Sequence, residues 1–172
     1  MFVCFGTYSN RNGCEGGDVF QAYDKVTEMG GITTQWIYPY NEANTPCDTT
    51  KTRDYVATVT KINRILTEQE MIDYVLTKGT LSVVVAANSW MTYVSDIFSS
   101  CPVGDELNHG VNIVGVNVVE KYWLIRNNWG RGWGENGLMK LAMVSECAAA
   151  THIVSIAINL NNHFTCSPPL SP

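Results

Sequence analysis

Two short stretches of this chain hold residues that could do chemistry together. Leu107-Asn108-His109-Gly110 sets a histidine at the head of an apolar run, and Arg126-Asn127-Asn128-Trp129-Gly130-Arg131-Gly132-Trp133-Gly134-Glu135-Asn136-Gly137 sets an asparagine and two tryptophans in a glycine-rich loop. A thiol attacks a carbonyl well only as thiolate, so a neighbouring imidazole must hold its proton. A third group must fix the ring by accepting a hydrogen bond from the other nitrogen. His109 and Asn127 fit those two roles, because a thiolate–imidazolium pair needs positioning more than added negative charge. Trp129 would shield their bond from water, and a bond in low dielectric is worth more than an exposed one.

Both residues sit at strand edges, where adjacent antiparallel strands could bring the side chains together. β-Branched and aromatic residues predict strands over Leu81 to Ala87, Val111 to Val119, Tyr122 to Arg126, Gly137 to Met143 and Ile153 to Leu160. Alternation predicts a further strand from Tyr55 to Ile62, and residues 36 to 53 read as irregular. Asp18 caps an amphipathic helix whose apolar positions are Val19, Ala22, Tyr23, Val26 and Met29, ended by Gly30-Gly31. Thr67-Glu68-Gln69-Glu70 is a capping-box signature opening a second helix to about Leu76. Helices early and strands late predict an α+β chain with two lobes. The Pro/Ser-rich tail from Cys166 to Pro172 reads as disordered.

Composition removes several function classes. The chain has 172 residues, is 45% hydrophobic and carries a formal charge of −5. Its eleven basic residues are scattered, which argues against a nucleic-acid surface or a polybasic membrane stripe. The best apolar run, Leu81 to Ala87, is strand length and far short of the roughly 20 residues that cross a bilayer. Six cysteines, at 4, 14, 47, 101, 147 and 166, lack the paired spacing of metal or redox motifs. They predict a disulfide framework in an oxidising compartment, with no metal and no cofactor. Met1-Phe2-Val3-Cys4 lacks the features of a secretory signal. The two expectations are reconciled if the natural N-terminus lies upstream of Met1. His163, beside Phe164 in the tail, reads as uninvolved.

Taken together the motifs resemble those of papain-family (cathepsin-like) cysteine proteases. The family's histidine lies in an Asn-His-Ala/Gly pattern before an apolar strand, here Asn108 to Gly115. Its asparagine lies in a Lys-Asn-Ser-Trp-Gly-x-x-Trp-Gly-x-x-Gly-Tyr pattern, here with Arg126, Asn128 and Leu138 as departures outside the catalytic roles. Gly13-Cys14-Glu15-Gly16-Gly17, Tyr38-Pro39-Tyr40 and Pro46-Cys47 match as well. The resemblance implies a papain-like two-lobe fold in one domain over residues 1–165. Residues 1–80 would be a remnant of an incomplete helical lobe and crossover, 81–160 a largely complete β-barrel-like lobe, and 166–172 the tail.

It further implies that His109 and Asn127 are catalytic. Gly16, Gly17, Val19, Val84, Gly110, Trp129, Trp133 and His152 would bind substrate. Val19, Val84, Gly110 and His152 would line the main specificity pocket, with His152 at its base lending it pH sensitivity. Trp133 would form a platform on the primed side. Cys4 would bridge Cys47, and Cys101 would bridge Cys147. Cys14 would lack its family partner, and Cys166 would be extra. The partners implied are a peptide or protein substrate and the family's protein inhibitors, in a lysosomal or extracellular setting.

The nucleophile is the gap. The family's cysteine stands in a Cys-Gly-Ser/Ala-Cys-Trp/Tyr signature roughly 130–150 residues before the histidine and asparagine. No cysteine here stands in such a signature, and the oxyanion-hole glutamine that precedes it is missing too. The chain as written is expected not to cleave peptides. Two readings follow: the rear portion of an ordinary cysteine peptidase, or a non-catalytic homologue that binds or acts as a decoy. A structural domain without a ligand explains the surviving His109, Asn127 and glycines less well. Loss of the front segment is also expected to lay bare Val19, Tyr23 and Val26.

Overall fold

The computed structural model describes residues 16–43, 45–101, 104–143 and 153–160, the last stretch by its backbone alone. The chain divides into two compact units, Met1–Ile62 with Ile156–Pro172 and Asn63–Ser155.

In the first unit, helix α1 runs from Val19 to Glu28, and the Asp18 carboxylate accepts from the Gln21 N–H at 3.0 Å. Capping by Asp18 is thus as expected. The helix stops where Gly30 and Gly31 take φ of 89° and 153°, a region that side chains disfavour. A Cβ on Gly31 would come within 2.6 Å of the Ala57 carbonyl oxygen, so only glycine lets the two backbones meet there. The turn folds the segment around Tyr55 back onto the helix end, where the Tyr55 hydroxyl donates to the Met29 carbonyl. One expectation fails at this point. Val26 is only 2% exposed, and Val19 and Tyr23 are half-buried; the apolar stripe is covered, not bare.

Strand β1 spans Ala57–Ile65, starting two residues later and ending three residues later than predicted, and the Val56 N–H just before it donates to the Ile32 carbonyl instead. Helix α2 spans Glu68–Thr77 and opens with the expected capping box. Thr67 accepts from the Glu70 N–H at 3.2 Å, and Glu70 accepts from the Thr67 N–H at 3.1 Å. Strand β2 covers Leu81–Val85, stopping short of the predicted Ala87. The chain then enters a 3₁₀ turn at Asn88–Trp90. Strands β3 (Ile97–Phe98), β4 (His109–Asn117), β5 (Tyr122–Arg126), β6 (Leu138–Ala142) and β7 (Ile153–Leu160) complete the sheet. Its order is β1-β7-β2-β4-β5-β6-β3.

β3 was not foreseen. It has two residues, too few to show a period, and it pairs parallel to β6. The pairings of β2 with β4 and β7, of β4 with β5 and of β5 with β6 are antiparallel, so the sheet is mixed, and the α+β reading stands. Its core face is regular. Leu81, Val83 and Val85 alternate on β2, Val111 and Ile113 on β4, Trp123 and Ile125 on β5, and Met139 and Leu141 on β6, none more than 6% exposed. Met71 of α2 joins the same core at 3%. Each such side chain contributes roughly 1.5–3 kcal/mol on burial, which makes the strand ends a firm mount for side chains that continue the pattern.

Candidate active site

His109 and Asn127 continue that pattern. Side chains repeat every two residues along a strand, so His109 shares the core face with Val111 and Ile113. Asn127 likewise follows Trp123 and Ile125. The register pairs Asn112 with Arg126, which sets Asn127 across from Val111 and diagonal to His109. Diagonal neighbours are within reach of long side chains. The contact is made: His109 Nε2 lies 2.8 Å from Asn127 Oδ1.

The direction of this bond follows from a second one. Asn127 Oδ1 also accepts from the backbone N–H of Asn128 at 2.8 Å. A backbone N–H can only donate, so the amide cannot be turned to put its NH₂ there. Oδ1 is therefore an acceptor on both sides, and His109 must donate from Nε2. In the tautomer this bond selects, Nδ1 carries no proton and is the nitrogen able to accept one. The Asn127 N–H donates to the Gly137 carbonyl at 3.0 Å, which pins the backbone as well. Asn127 is 7% exposed, and its Nδ2 is buried with no acceptor among the described residues.

Trp129 lies against the histidine, with ring centroids 5.0 Å apart at 30°. It meets Trp133 edge-on at 5.3 Å, and Trp133 donates its Nε1–H to the Trp90 carbonyl at 3.1 Å. Gly134 turns the loop beneath the tryptophans at φ 55°, where a Cβ would fall 2.6 Å from the Leu138 carbonyl oxygen. The neighbouring Glu135 carboxylate ties the loop to the rest of the unit. One of its oxygens accepts from the Asp96 N–H and from Lys140 Nζ, each at 3.2 Å. Tyr93 packs its ring 5.5 Å from Trp133 and donates its hydroxyl to the Asp96 carbonyl at 2.8 Å.

Several supports escaped the sequence reading. Trp90, fully buried, sits in a 3₁₀ turn with no periodic signal. Tyr93 and Glu135 meet from positions 42 apart in the chain. Asn108 was visible only as the residue before His109. It accepts from the Ala87 N–H at 3.0 Å and donates to Asn88 at 2.7 Å.

The substrate-binding expectations are placed as follows. Val84, half-buried, and Gly110, exposed, stand opposite each other in the β2–β4 register, on the strand face away from His109. Gly16 and Gly17 are exposed just ahead of α1, and Val19 is half-buried at its start. These three belong to the first unit. His152, Cys4, Cys14, Cys147 and Cys166 lie outside the described residues. The two cysteines that are described, Cys47 and Cys101, are disulfide-bonded, so neither offers a thiolate. Among the described residues no group of three or more His, Cys, Asp or Glu could hold a metal ion.

A papain family cysteine protease model matches residues 1–157. The chain belongs to the papain family of cysteine proteases. It is 33% identical over 150 residues to the viral cathepsin of Epiphyas postvittana nucleopolyhedrovirus, a match covering 84% of this chain and 46% of that one. To the cathepsin L-like proteinase of Phaedon cochleariae it is 34% identical over 143 residues, covering 80% and 43%. The chain thus spans under half the length of these family members. In three dimensions it is similar to the bromelain protease of Ananas comosus in complex with the E64 inhibitor. That match has a TM-score of 0.77 and 30% identity, over 90% of this chain and 75% of the other. The digestive procathepsin L 3 of Tenebrio molitor matches at a TM-score of 0.76 and 27% identity, over 91% and 53%. The fold is therefore papain-like, as the motifs implied.

Proposed function

We propose that this chain carries the base and orienter of a papain-type peptidase that hydrolyses peptide bonds in peptide or protein substrates. The observation that carries the reading is the 2.8 Å contact of His109 Nε2 with Asn127 Oδ1, its direction set by Asn128. With a thiol beside Nδ1, the imidazole would take its proton, and the thiolate would attack the carbonyl carbon. The imidazolium would then protonate the leaving amine, and water would release the acyl group from sulfur. Asn127 would hold the ring in one orientation through both proton transfers.

No cysteine of the sequence stands in the nucleophile signature, so the chain by itself is proposed not to cleave peptides. Gly16, Gly17 and Trp133 would contact an extended substrate. Val19, Val84, Gly110 and His152 would line its main specificity pocket. Disulfides Cys4–Cys47 and Cys101–Cys147 belong to the same reading, which the bonded state of Cys47 and Cys101 supports. A disulfide framework in turn suits a lysosomal or extracellular setting.

The test joins a papain-family front segment bearing the nucleophile signature ahead of these 172 residues. The chimera is expected to hydrolyse a peptide substrate, to be blocked by E64, and to lose turnover on His109→Ala. A folded chimera that binds peptide without cleaving it would refute this reading in favour of a non-catalytic binding protein.

A further inference from the structure

We propose that Asn88 and Asn108 form an amide clamp that positions the His109 ring, an inference that rests on His109 and Asn127 acting as a pair. Asn127 fixes one atom of the ring, Nε2. The opposite end of the side chain, its Cα, sits at the last pairing of β2 with β4, Val85 with His109. Beyond that pair the strands diverge, β2 running into the 3₁₀ turn at Asn88–Trp90. A strand end without further rungs would fray, and the ring would move with it.

Asn108 supplies the missing rungs. Its N–H donates to the Val85 carbonyl at 3.0 Å. Its side-chain Oδ1 accepts from the Ala87 N–H at 3.0 Å, and its Nδ2 donates to Asn88 Oδ1 at 2.7 Å. All three partners lie within the four residues from Val85 to Asn88. The Ala87 N–H can only donate, so the Asn108 amide is held oxygen-first, its NH₂ is aimed at Asn88, and Asn88 must answer with its oxygen. One backbone donor thereby sets the orientation of two amides. A residue at 108 needs an acceptor for Ala87 and gains from a donor for Asn88. Asparagine has both, aspartate only the first, alanine neither. Asn88 and Asn108 act through His109 and need touch no substrate.

The experiment is histidine side-chain NMR on the ¹⁵N-labelled chain, with the Nε2–H resonance assigned by its loss in His109→Gln. Asn108→Ala removes both side-chain hydrogen bonds and is expected to speed exchange of that proton with water about five- to tenfold or more, the lower end of what two such bonds contribute. Asn88→Ala should speed it about two- to fivefold, since the Ala87 rung remains. Asn108→Asp keeps an acceptor for Ala87 but no donor for Asn88, so its exchange should match that of Asn88→Ala and stay slower than that of Asn108→Ala. If Asn108→Ala speeds only the Ala87 amide and leaves the His109 proton unchanged, the clamp merely supports the strand and the proposal fails. Should Asn108→Ala not fold, Asn88→Ala decides alone, its side chain being exposed, and no acceleration overturns the proposal. Absence of a protected Nε2–H in the unaltered chain would refute the His109–Asn127 pairing and this inference with it.

Discussion

Replacing Asn127 with alanine should disorder the His109 ring while hardly changing the stability of the protein. The amide oxygen accepts two hydrogen bonds, from His109 Nε2 and from the Asn128 N–H, each at 2.8 Å. Each contributes about 0.5–1.5 kcal/mol net, so their loss should cost about 1–3 kcal/mol. The same substitution removes Nδ2, a buried donor with no acceptor among the described residues. Leaving such a group unmade costs about 1–3 kcal/mol, which the variant recovers. Asn128 is exposed, so its freed N–H can turn to water. The two terms offset, and urea denaturation should show a change within about 1 kcal/mol. Histidine NMR should nevertheless show loss of the protected Nε2–H. A stability loss above about 3 kcal/mol would show that Nδ2 is bonded after all and that the offset is wrong. An undisturbed Nε2–H would refute the assignment of Asn127 as orienter.

Gly134→Ala should cost about 2 kcal/mol or more in denaturant unfolding, since φ is 55° and the added Cβ would lie 2.6 Å from the Leu138 carbonyl oxygen; a neutral result would mean the turn can relax. Thr67→Ala should lower stability by about 1 kcal/mol through loss of the N-cap. The partner Glu70 has its carboxyl held below the usual range by hydrogen bonds from Leu66 and Thr67. Its contribution is therefore present above the ordinary carboxylate pKa and fades as pH falls through the lowered one. Stability of Thr67→Ala measured against pH should show a weaker acid limb than the unaltered chain, and an identical limb would contradict this. The Tyr93 phenol is pushed up mainly by burial. Once pH passes the ordinary tyrosine value of about 10, the unfolded chain releases a proton that the folded one keeps, so stability should fall. Tyr93→Phe should flatten that alkaline decline, and a decline unchanged by the variant would rule Tyr93 out as its source.

The dyad was legible because its chemistry is local in type. The imidazole opens one strand and the amide in the Gly/Trp loop follows another, and the period-two pattern of both strands is written in β-branched and aromatic residues. Asp18 and Thr67 were legible for the same reason, since a helix cap depends on side chains within one turn. The two-residue β3 was not, because two residues cannot display a period. Tyr55 read as strand but lies before it, its hydroxyl bonded to Met29, 26 residues away. Val26 was expected to be bare, yet it is buried: how far a stripe is covered depends on segments that return from elsewhere in the chain.

The sequence by itself determined the residue types of the site, the strand and helix periods, and the family to which the chain belongs. Only the tertiary structure decided which nitrogen of His109 donates, because that depends on the Asn128 N–H meeting the amide in space. It also decided that Asn108 reaches Ala87 and Asn88, and that Glu135 and Tyr93 brace the tryptophan loop. Residue identity carries chemistry and local period, whereas hydrogen-bond direction and burial are properties of groups that the fold alone brings together.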